Sequence, residues 1–168
     1  MGTVHIYTGN GGGKTTAALG VCLRAIGHGK KVLFIQFMKG RMTGELLAAR
    51  KLKGFEIKQF GRREFVDLAN PSAKDKELAK KGMELAKKAL KDPPYLLVLD
   101  ELNLAASCGL VGVEDVLELI GSAPKRLNII ITGRNAPKEL IAQADLATEI
   151  SDLKSRITPI KARKGIEY

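Results

Sequence analysis

The chain has few cysteines, histidines and aromatic residues, and it has no tryptophan. Cys22 and Cys108 stand far apart without C-x-x-C spacing, which excludes a disulfide framework and favours reduced thiols. His5 and His28 lie in a predicted strand and in a helix-ending turn, so a histidine base or histidine metal site is not expected. No apolar run approaches the ~20 residues that a membrane-spanning helix needs.

Acidic residues are also outnumbered, with 18 Asp and Glu against 28 Lys and Arg, for a net charge of +10. Such a charge favours an anionic partner, which can be a nucleotide, a nucleic acid or an acidic protein. Basic and aromatic residues do not interleave as they do in nucleic-acid-binding proteins, so nucleic acid is not the expected partner. The chain enters a predicted strand at once, without room for a signal peptide, and we expect a cytoplasmic protein that does not bind a membrane.

Apolar runs alternate with helical patterns along all 168 residues. The near-continuous apolar runs 31–37 and 95–99 are typical of strands that are covered on both faces of a parallel sheet. We therefore predict one α/β domain, residues 1–168, with a mostly parallel sheet and helices on both faces. The predicted helices are 15–26, 44–50, 73–91, 113–120 and 137–144, and the other predicted strands are 4–7, 55–60, 127–131 and 145–151.

A glycine-rich stretch, TGNGGGKTT at residues 8–16, is the strongest functional signal. Its glycines allow successive N–H groups to point into one concavity, and the following helix adds its positive dipole end. In such a P-loop the lysine reaches the terminal phosphates and the next hydroxyl faces magnesium. The match to G-x-x-x-x-G-K-[ST] is imperfect, because a threonine stands at the first glycine position. The stretch predicts a nucleotide triphosphate site at Gly9, Asn10, Gly11, Gly12, Gly13, Lys14, Thr15 and Thr16.

Two other predicted strands end in charged residues. The apolar run 95–99 leads into Asp100 and Glu101, which is typical of a Walker B element that serves magnesium, although acids capping a helix are the alternative. Arg134 follows the run 127–131, where its guanidinium could clamp a phosphate. None of these side chains, nor Lys14 or Thr15, is an obvious base. The set suits ATP hydrolysis or a reaction that brings its own strong nucleophile.

Five motifs together resemble the P-loop type of corrinoid (cobalamin) adenosyltransferase. The first is the loop itself, residues 8–20, and it is followed in family order by motifs that span nearly the whole chain. These are Gln36-Phe37-Met38-Lys39-Gly40 with Gly44-Glu45, Leu99-Asp100-Glu101-Leu102-Asn103, Thr132-Gly133-Arg134-Asn135-Ala136-Pro137, and the ending Lys161-Ala162-Arg163-Lys164-Gly165-Ile166-Glu167-Tyr168.

The resemblance implies a RecA-like P-loop fold and transfer of the 5′-deoxyadenosyl group of ATP to the Co(I) of cobalamin or a corrinoid precursor, in adenosylcobalamin biosynthesis or salvage. Inorganic triphosphate leaves, and Co(I) needs no general base. The resemblance also implies a homodimer, magnesium contacts from Thr15 and Glu101 beside Asp100, and nucleotide contacts from Asn10 and Arg134. The catalytic set is then Lys14, Thr15, Glu101 and Arg134.

Three features depart from the family's pattern. A lysine is usual where Gly12 stands, and many members carry an N-terminal helix before the first strand. Bacterial members use a Phe–Trp pair to displace the lower corrinoid ligand, whereas here Phe65, in the predicted loop 61–71, is the candidate on the corrinoid side. A further hypothesis is that the basic surface docks an acidic flavoprotein that reduces the cobalt.

Two other functions are compatible with these residues. One is a RecA-like ATPase module that acts with nucleic acid, and the other is a non-catalytic protein that binds ATP or a corrinoid. The identity of the phosphate product separates the enzyme from both.

Overall fold

The structure is a computed structural model that describes residues 1–154, 162–166 and 168. Strands and helices alternate from the first strand onwards, as the hydrophobic pattern predicts. In chain order they are β1 (Val4–Thr8), α1 (Lys14–Gly27), β2 (Val32–Phe37), α2 (Gly44–Ala49), β3 (Phe55–Phe60), α3 (Ala73–Ala89), β4 (Leu96–Asp100), α4 (Leu102–Ser107), α5 (Val113–Gly121), β5 (Asn128–Thr132), α6 (Lys138–Gln143) and β6 (Leu146–Glu149).

The six strands of the described residues form one parallel sheet with the order β3-β2-β4-β5-β1-β6. In the register, Tyr7 of β1 pairs with Thr132 of β5, and Gln36 of β2 pairs with Asp100 of β4. Because parallel strands end at the same edge of a sheet, the loops after β1, β2, β4 and β5 meet there. The predicted α/β class with a parallel sheet is confirmed.

The sheet buries apolar side chains on both faces, as its near-continuous apolar strands require. On one face, Ala18 and Cys22 of α1 pack against Phe34, Val98 and Ile130. The other face carries the larger cluster, where α3, α4, α5 and α6 cover the remaining side chains of the central strands. In α3, Gly82 allows the Phe37 ring to approach, because a Cβ there would lie 2.7 Å from a ring carbon. Both cysteines are free.

The sequence patterns did not indicate α4, and they led us to expect a longer last strand than β6. Helix α4 has six residues, too few for a helical period to show, although Leu102 and Ala105 are fully buried. Every side chain of β6 is exposed, so this edge strand has no apolar face to reveal its limits. Lys161 and Glu167 of the predicted C-terminal motif lie outside the described residues.

Candidate active site

The P-loop connects β1 to α1 and takes its shape from two distant backbone contacts. Gly9 and Gly13 have φ of 95° and 101°, in the left-handed region that favours glycine. Gly9 and Gly11 also lie against the chain that leaves β6, where an added Cβ would come within 3 Å of residues 150 or 151. The Gly11 N–H donates to the Ile150 carbonyl at 2.9 Å. The segment that directly follows β6 therefore supports the P-loop.

The Lys14 side chain is folded back into this loop. Its ammonium donates to the carbonyls of Gly9 at 2.7 Å and Gly11 at 2.6 Å, and the residue is only 7% exposed. Burial lowers the pKa of Lys14, and the nearby Glu101 carboxylate raises it by less. Lys14 also occupies the first turn of α1, whose N-terminus carries a partial positive charge. The loop thus concentrates positive charge for an anion.

At the end of β4, the Asp100 carboxylate is completely buried and accepts four hydrogen bonds. The hydroxyls of Thr15 and Thr132 donate to its Oδ1 at 2.8 and 2.6 Å. Gln36 Nε2 and the Lys39 ammonium donate to its Oδ2 at 3.1 and 2.7 Å. These donors come from α1, β5, β2 and the loop after β2, so one carboxylate ties the strand ends to the P-loop. Buried charge is stable only with such partners.

Lys39 is the only cation among these four donors. Its ammonium also donates to Thr15 Oγ1 at 3.2 Å, so it lies between the hydroxyl and the carboxylate. Burial lowers the pKa of Lys39, but the Asp100 carboxylate outweighs this effect and the pKa is raised overall. The Lys39 side chain keeps 30% of its surface exposed, whereas that of Asp100 has none.

Backbone strain concentrates at the same edge of the sheet. Met38, Glu101 and Asn135 have φ of 57°, 63° and 53°, values that are unfavourable for residues other than glycine. Met38 directly follows β2, Glu101 directly follows β4, and Asn135 lies in the loop after β5. Strained residues of this kind cluster where a fold positions functional groups.

Glu101 is the N-cap residue of α4, and its N–H donates to the Thr132 hydroxyl at 3.1 Å. Burial raises the pKa of the Glu101 carboxyl, and the Lys39 ammonium opposes that shift. Its side chain faces two cavities, so it is available to a ligand in either of them.

Two neighbouring cavities open at this edge, and Lys39, Glu101 and Arg134 line both of them. The first, of about 610 Å³, contains the P-loop residues. The second, of about 480 Å³, is mostly apolar and contains Phe65. The first is lined by Gly11, Gly12, Gly13, Lys14, Thr15, Thr16, Leu19, Lys39, Thr43, Gly44, Glu45, Glu101, Arg134, Gly165, Ile166 and Tyr168, and the second by Asn10, Met38, Lys39, Phe65, Val66, Leu68, Glu101, Leu104, Arg134 and Asn135.

Comparison with known proteins identifies the family. The family model described as ATP:corrinoid adenosyltransferase BtuR/CobO/CobP matches residues 1–168. The chain belongs to this family. It is 35% identical to a corrinoid adenosyltransferase of Pseudomonas aeruginosa over 99% of this chain and 84% of that one. It is 32% identical to the corrinoid adenosyltransferase of Escherichia coli K12 and to the corrinoid adenosyltransferase CobA of Salmonella typhimurium, each over 99% of this chain and 86% of the relative.

Family membership confirms the predicted transferase activity toward corrinoids and the RecA-like P-loop fold. In the sheet of this chain, β5 lies between the P-loop strand β1 and the acidic strand β4. Thr132 at the end of β5 consequently reaches Asp100 on one side, while Tyr7 of β1 lies beside it on the other. Within the described residues, no helix is both long and apolar enough to cross a membrane.

The structure brings most of the predicted site residues together. Residues 11–16, Glu101 and Arg134 line the P-loop cavity, and Asp100 lies beneath it in contact with Thr15. Asn10 lines the second cavity together with Phe65, and Gly9 supports the loop against Ile150. His5 and His28 line a different cavity near the amino ends of β1 and β5.

Several site residues had no role assigned from the sequence. Lys39, Gln36 and Thr132, which the sequence identifies only as members of motifs, surround Asp100. Thr43 lines the P-loop cavity with a buried hydroxyl that has no partner among the described residues. One signal was present, because a glutamine inside the apolar run of β2 needs a polar partner when buried. The Asp152 carboxylate accepts the Gly12 N–H at 3.1 Å, and nothing local in the sequence signals this contact.

Proposed function

We propose that the protein transfers the 5′-deoxyadenosyl group of ATP to the Co(I) of a corrinoid and releases triphosphate. The pair of adjoining cavities carries this proposal, since transfer requires two substrates whose reacting atoms meet across a shared boundary. The P-loop cavity suits ATP, and the mostly apolar second cavity suits one face of the corrinoid at Phe65.

In this arrangement the P-loop binds the triphosphate. Lys14 leaves the carbonyls of Gly9 and Gly11 for a phosphate, and Arg134 neutralises a second one from the shared wall. The Thr43 hydroxyl, which has no partner in the part of the chain that the structure describes, offers the nucleotide one more hydrogen bond. The Gly12 N–H becomes available once a phosphate replaces the Asp152 carboxylate.

The residues around Thr15 also fit magnesium. Thr15 Oγ1 and Asp100 Oδ1 lie 2.8 Å apart, both are oxygen ligands, and a lysine cation already lies against them. Within the described residues, no group of three or more His, Cys, Asp or Glu side chains is placed to hold a metal. Magnesium would therefore bind weakly at Thr15 and Asp100, with Glu101 nearby, when no nucleotide is present, and tightly when triphosphate oxygens complete its ligands. There it would neutralise charge on the leaving group.

The proposed chemistry matches the side chains present. The Co(I) electron pair forms the bond to the ribose C5′, the C5′–O bond breaks, and its electrons leave with the triphosphate. Cobalt is oxidised formally from Co(I) to Co(III), and no proton has to move. The protein's part is to align C5′ with the cobalt and to stabilise negative charge on the departing triphosphate, which Lys14 and Arg134 can do.

The decisive test is the identity of the phosphate product. We would incubate the protein with MgATP and chemically reduced cob(I)alamin under anaerobic conditions. We expect triphosphate and a light-sensitive Co–C bond in equal amounts. ADP and phosphate, particularly if added nucleic acid stimulates their release, would instead support an ATPase module. Binding of both substrates without any product would support a non-catalytic binding protein.

We further propose that residues 1–168 act as one domain, that two copies form a homodimer, and that the protein works in the cytoplasm. Sedimentation analysis tests the dimer.

The net charge of +10 supports docking of an acidic flavoprotein that supplies the electron. Coupling to a flavoprotein donor should weaken as salt is added, and salt-independent coupling would contradict the docking proposal.

A further inference from the structure

We propose that Lys39 is an exchangeable counter-ion, which neutralises Asp100 in the empty site and moves to the triphosphate when magnesium binds. The inference rests on the proposed magnesium–ATP site and assigns a role to a residue outside the P-loop and the acidic strand end. It concerns a cation that contacts both proposed magnesium ligands, Thr15 and Asp100.

The first observation is the position of the ammonium. It lies 2.7 Å from Asp100 Oδ2 and 3.2 Å from Thr15 Oγ1, so it contacts the two side chains that would bind magnesium. Magnesium needs its oxygen ligands at about 2.1 Å. A divalent cation and an ammonium cannot share this small, largely buried space, because their repulsion is strong where water is excluded. Magnesium can enter only if Lys39 leaves.

The second observation is that Lys39 is able to leave. Asp100 is held on all sides, whereas Lys39 comes from the loop after β2 and keeps 30% of its side chain exposed. Three neutral donors, from Thr15, Thr132 and Gln36, remain on Asp100 when the ammonium departs. A lysine side chain has four rotatable bonds, so the ammonium can move to a new position without backbone movement.

The third observation is the destination. Lys39 lines the P-loop cavity together with Lys14 and Arg134. Once magnesium is bound to the Asp100 carboxylate, the most negative group that the Lys39 ammonium can reach is the triphosphate in that cavity. The same lysine then adds positive charge at the leaving group, which gains charge as the C5′–O bond breaks. In the empty site, Lys39 therefore neutralises Asp100. In the loaded site, magnesium neutralises Asp100 and Lys39 neutralises the triphosphate.

The test measures metal binding without nucleotide. Mn²⁺ alone would be titrated by electron paramagnetic resonance into wild type, Lys39→Met and the matched control Lys58→Met, which removes an exposed lysine of β3. We expect Lys39→Met to bind Mn²⁺ at least about fivefold more tightly than wild type, and Lys58→Met to match wild type. Equal or weaker Mn²⁺ binding by Lys39→Met would overturn the exchange.

Two further variants keep the result interpretable. Lys39→Gln retains a donor toward Asp100 without the charge, so it should fold if Lys39→Met does not, and it should also bind Mn²⁺ more tightly. Asp100→Asn should lose Mn²⁺ binding. If Asp100→Asn binds Mn²⁺ like wild type, the magnesium site itself is misplaced. If Asp100→Asn loses Mn²⁺ binding but the Lys39 variants bind Mn²⁺ like wild type, the magnesium site is supported and the exchange of Lys39 is refuted.

Binding of the displaced Lys39 ammonium to the triphosphate is measured separately. At saturating Mg²⁺, calorimetry should show that Lys39→Gln binds ATP about fivefold more weakly than wild type, because a triphosphate contact is lost. Unchanged ATP affinity would show that the displaced ammonium does not reach the triphosphate.

Discussion

Asp75 tests whether burial increases the contribution of an ion pair to the stability of the fold. This side chain lies at the start of α3 and is 4% exposed. It accepts two hydrogen bonds from the Arg62 guanidinium at 2.8 and 3.0 Å and one from the Ser72 hydroxyl at 2.6 Å. Arg62 lowers the pKa of Asp75 from 3.8 to about 2. Arg62 belongs to the loop after β3, which also carries Phe65 of the second cavity.

The expected cost of Asp75→Asn follows from that pKa. A shift of this size corresponds to about 2 kcal/mol of native-state stability at neutral pH, which is about 4–8 °C in melting temperature for a chain of this length. A depressed pKa stabilises the fold fully above the unfolded value near pH 4. The stabilisation is lost as the pH falls toward about 2. The difference in free energy of unfolding between wild type and Asp75→Asn should shrink over that range.

Glu77 supplies the matched control, two residues further along the same helix. Its pKa is also lowered to about 2, through hydrogen bonds from Lys81 and Lys74. Its side chain is 46% exposed, however, so water and salt screen both ion pairs. Urea denaturation at several pH values should show a clear loss for Asp75→Asn and none for Glu77→Gln. Equal losses for the two variants, or a loss for Asp75→Asn that does not shrink in acid, would refute the reasoning.

Three further predictions concern the two cavities. Gly12→Lys should strengthen MgATP binding about two- to fivefold at low salt, because a Cβ at Gly12 meets no atom within 4 Å and the new ammonium faces the phosphates; calorimetry that shows no gain would contradict this. Lys14→Ala should lower product formation at least about 100-fold while circular dichroism shows an intact fold, and unaffected turnover would refute the phosphate assignment. Phe65→Ala should raise the KM for the corrinoid without changing ATP affinity or thermal stability, since Phe65 is 87% exposed. A stability loss would show that Phe65 packs rather than binds.

The central strands could be predicted because they satisfy a local rule. The runs 32–37 and 96–100 are apolar at nearly every position, which is required of strands buried on both faces. Ser72 and Asp75 form a capping box whose spacing is visible in the sequence, and α3 begins there. The P-loop was recognisable for the same reason, since its glycines and the Lys-Thr pair are contiguous.

The partners of Asp100 could not be predicted, because they depend on which strands become neighbours. Gln36 and Thr132 reach the carboxylate only because β2 and β5 flank β4, an order that no local pattern encodes. Lys39 belongs to a motif that the sequence shows, but no pattern in the sequence places its ammonium against Asp100. The contact between Gly12 and Asp152 joins residues 140 positions apart. A single sequence carries no signal for such a pair.

The contact between Gly11 and Ile150 also affects when the nucleotide site can form during synthesis. The P-loop residues are translated long before Ile150, whose carbonyl accepts the Gly11 N–H. Until then, the loop lacks the backbone against which Gly9 and Gly11 pack. Contacts between such distant residues form late in folding, because the intervening chain must first be ordered. A nascent chain that ends before β6 would therefore expose its P-loop sequence without binding nucleotide, so ATP cannot assist the folding of the earlier strands.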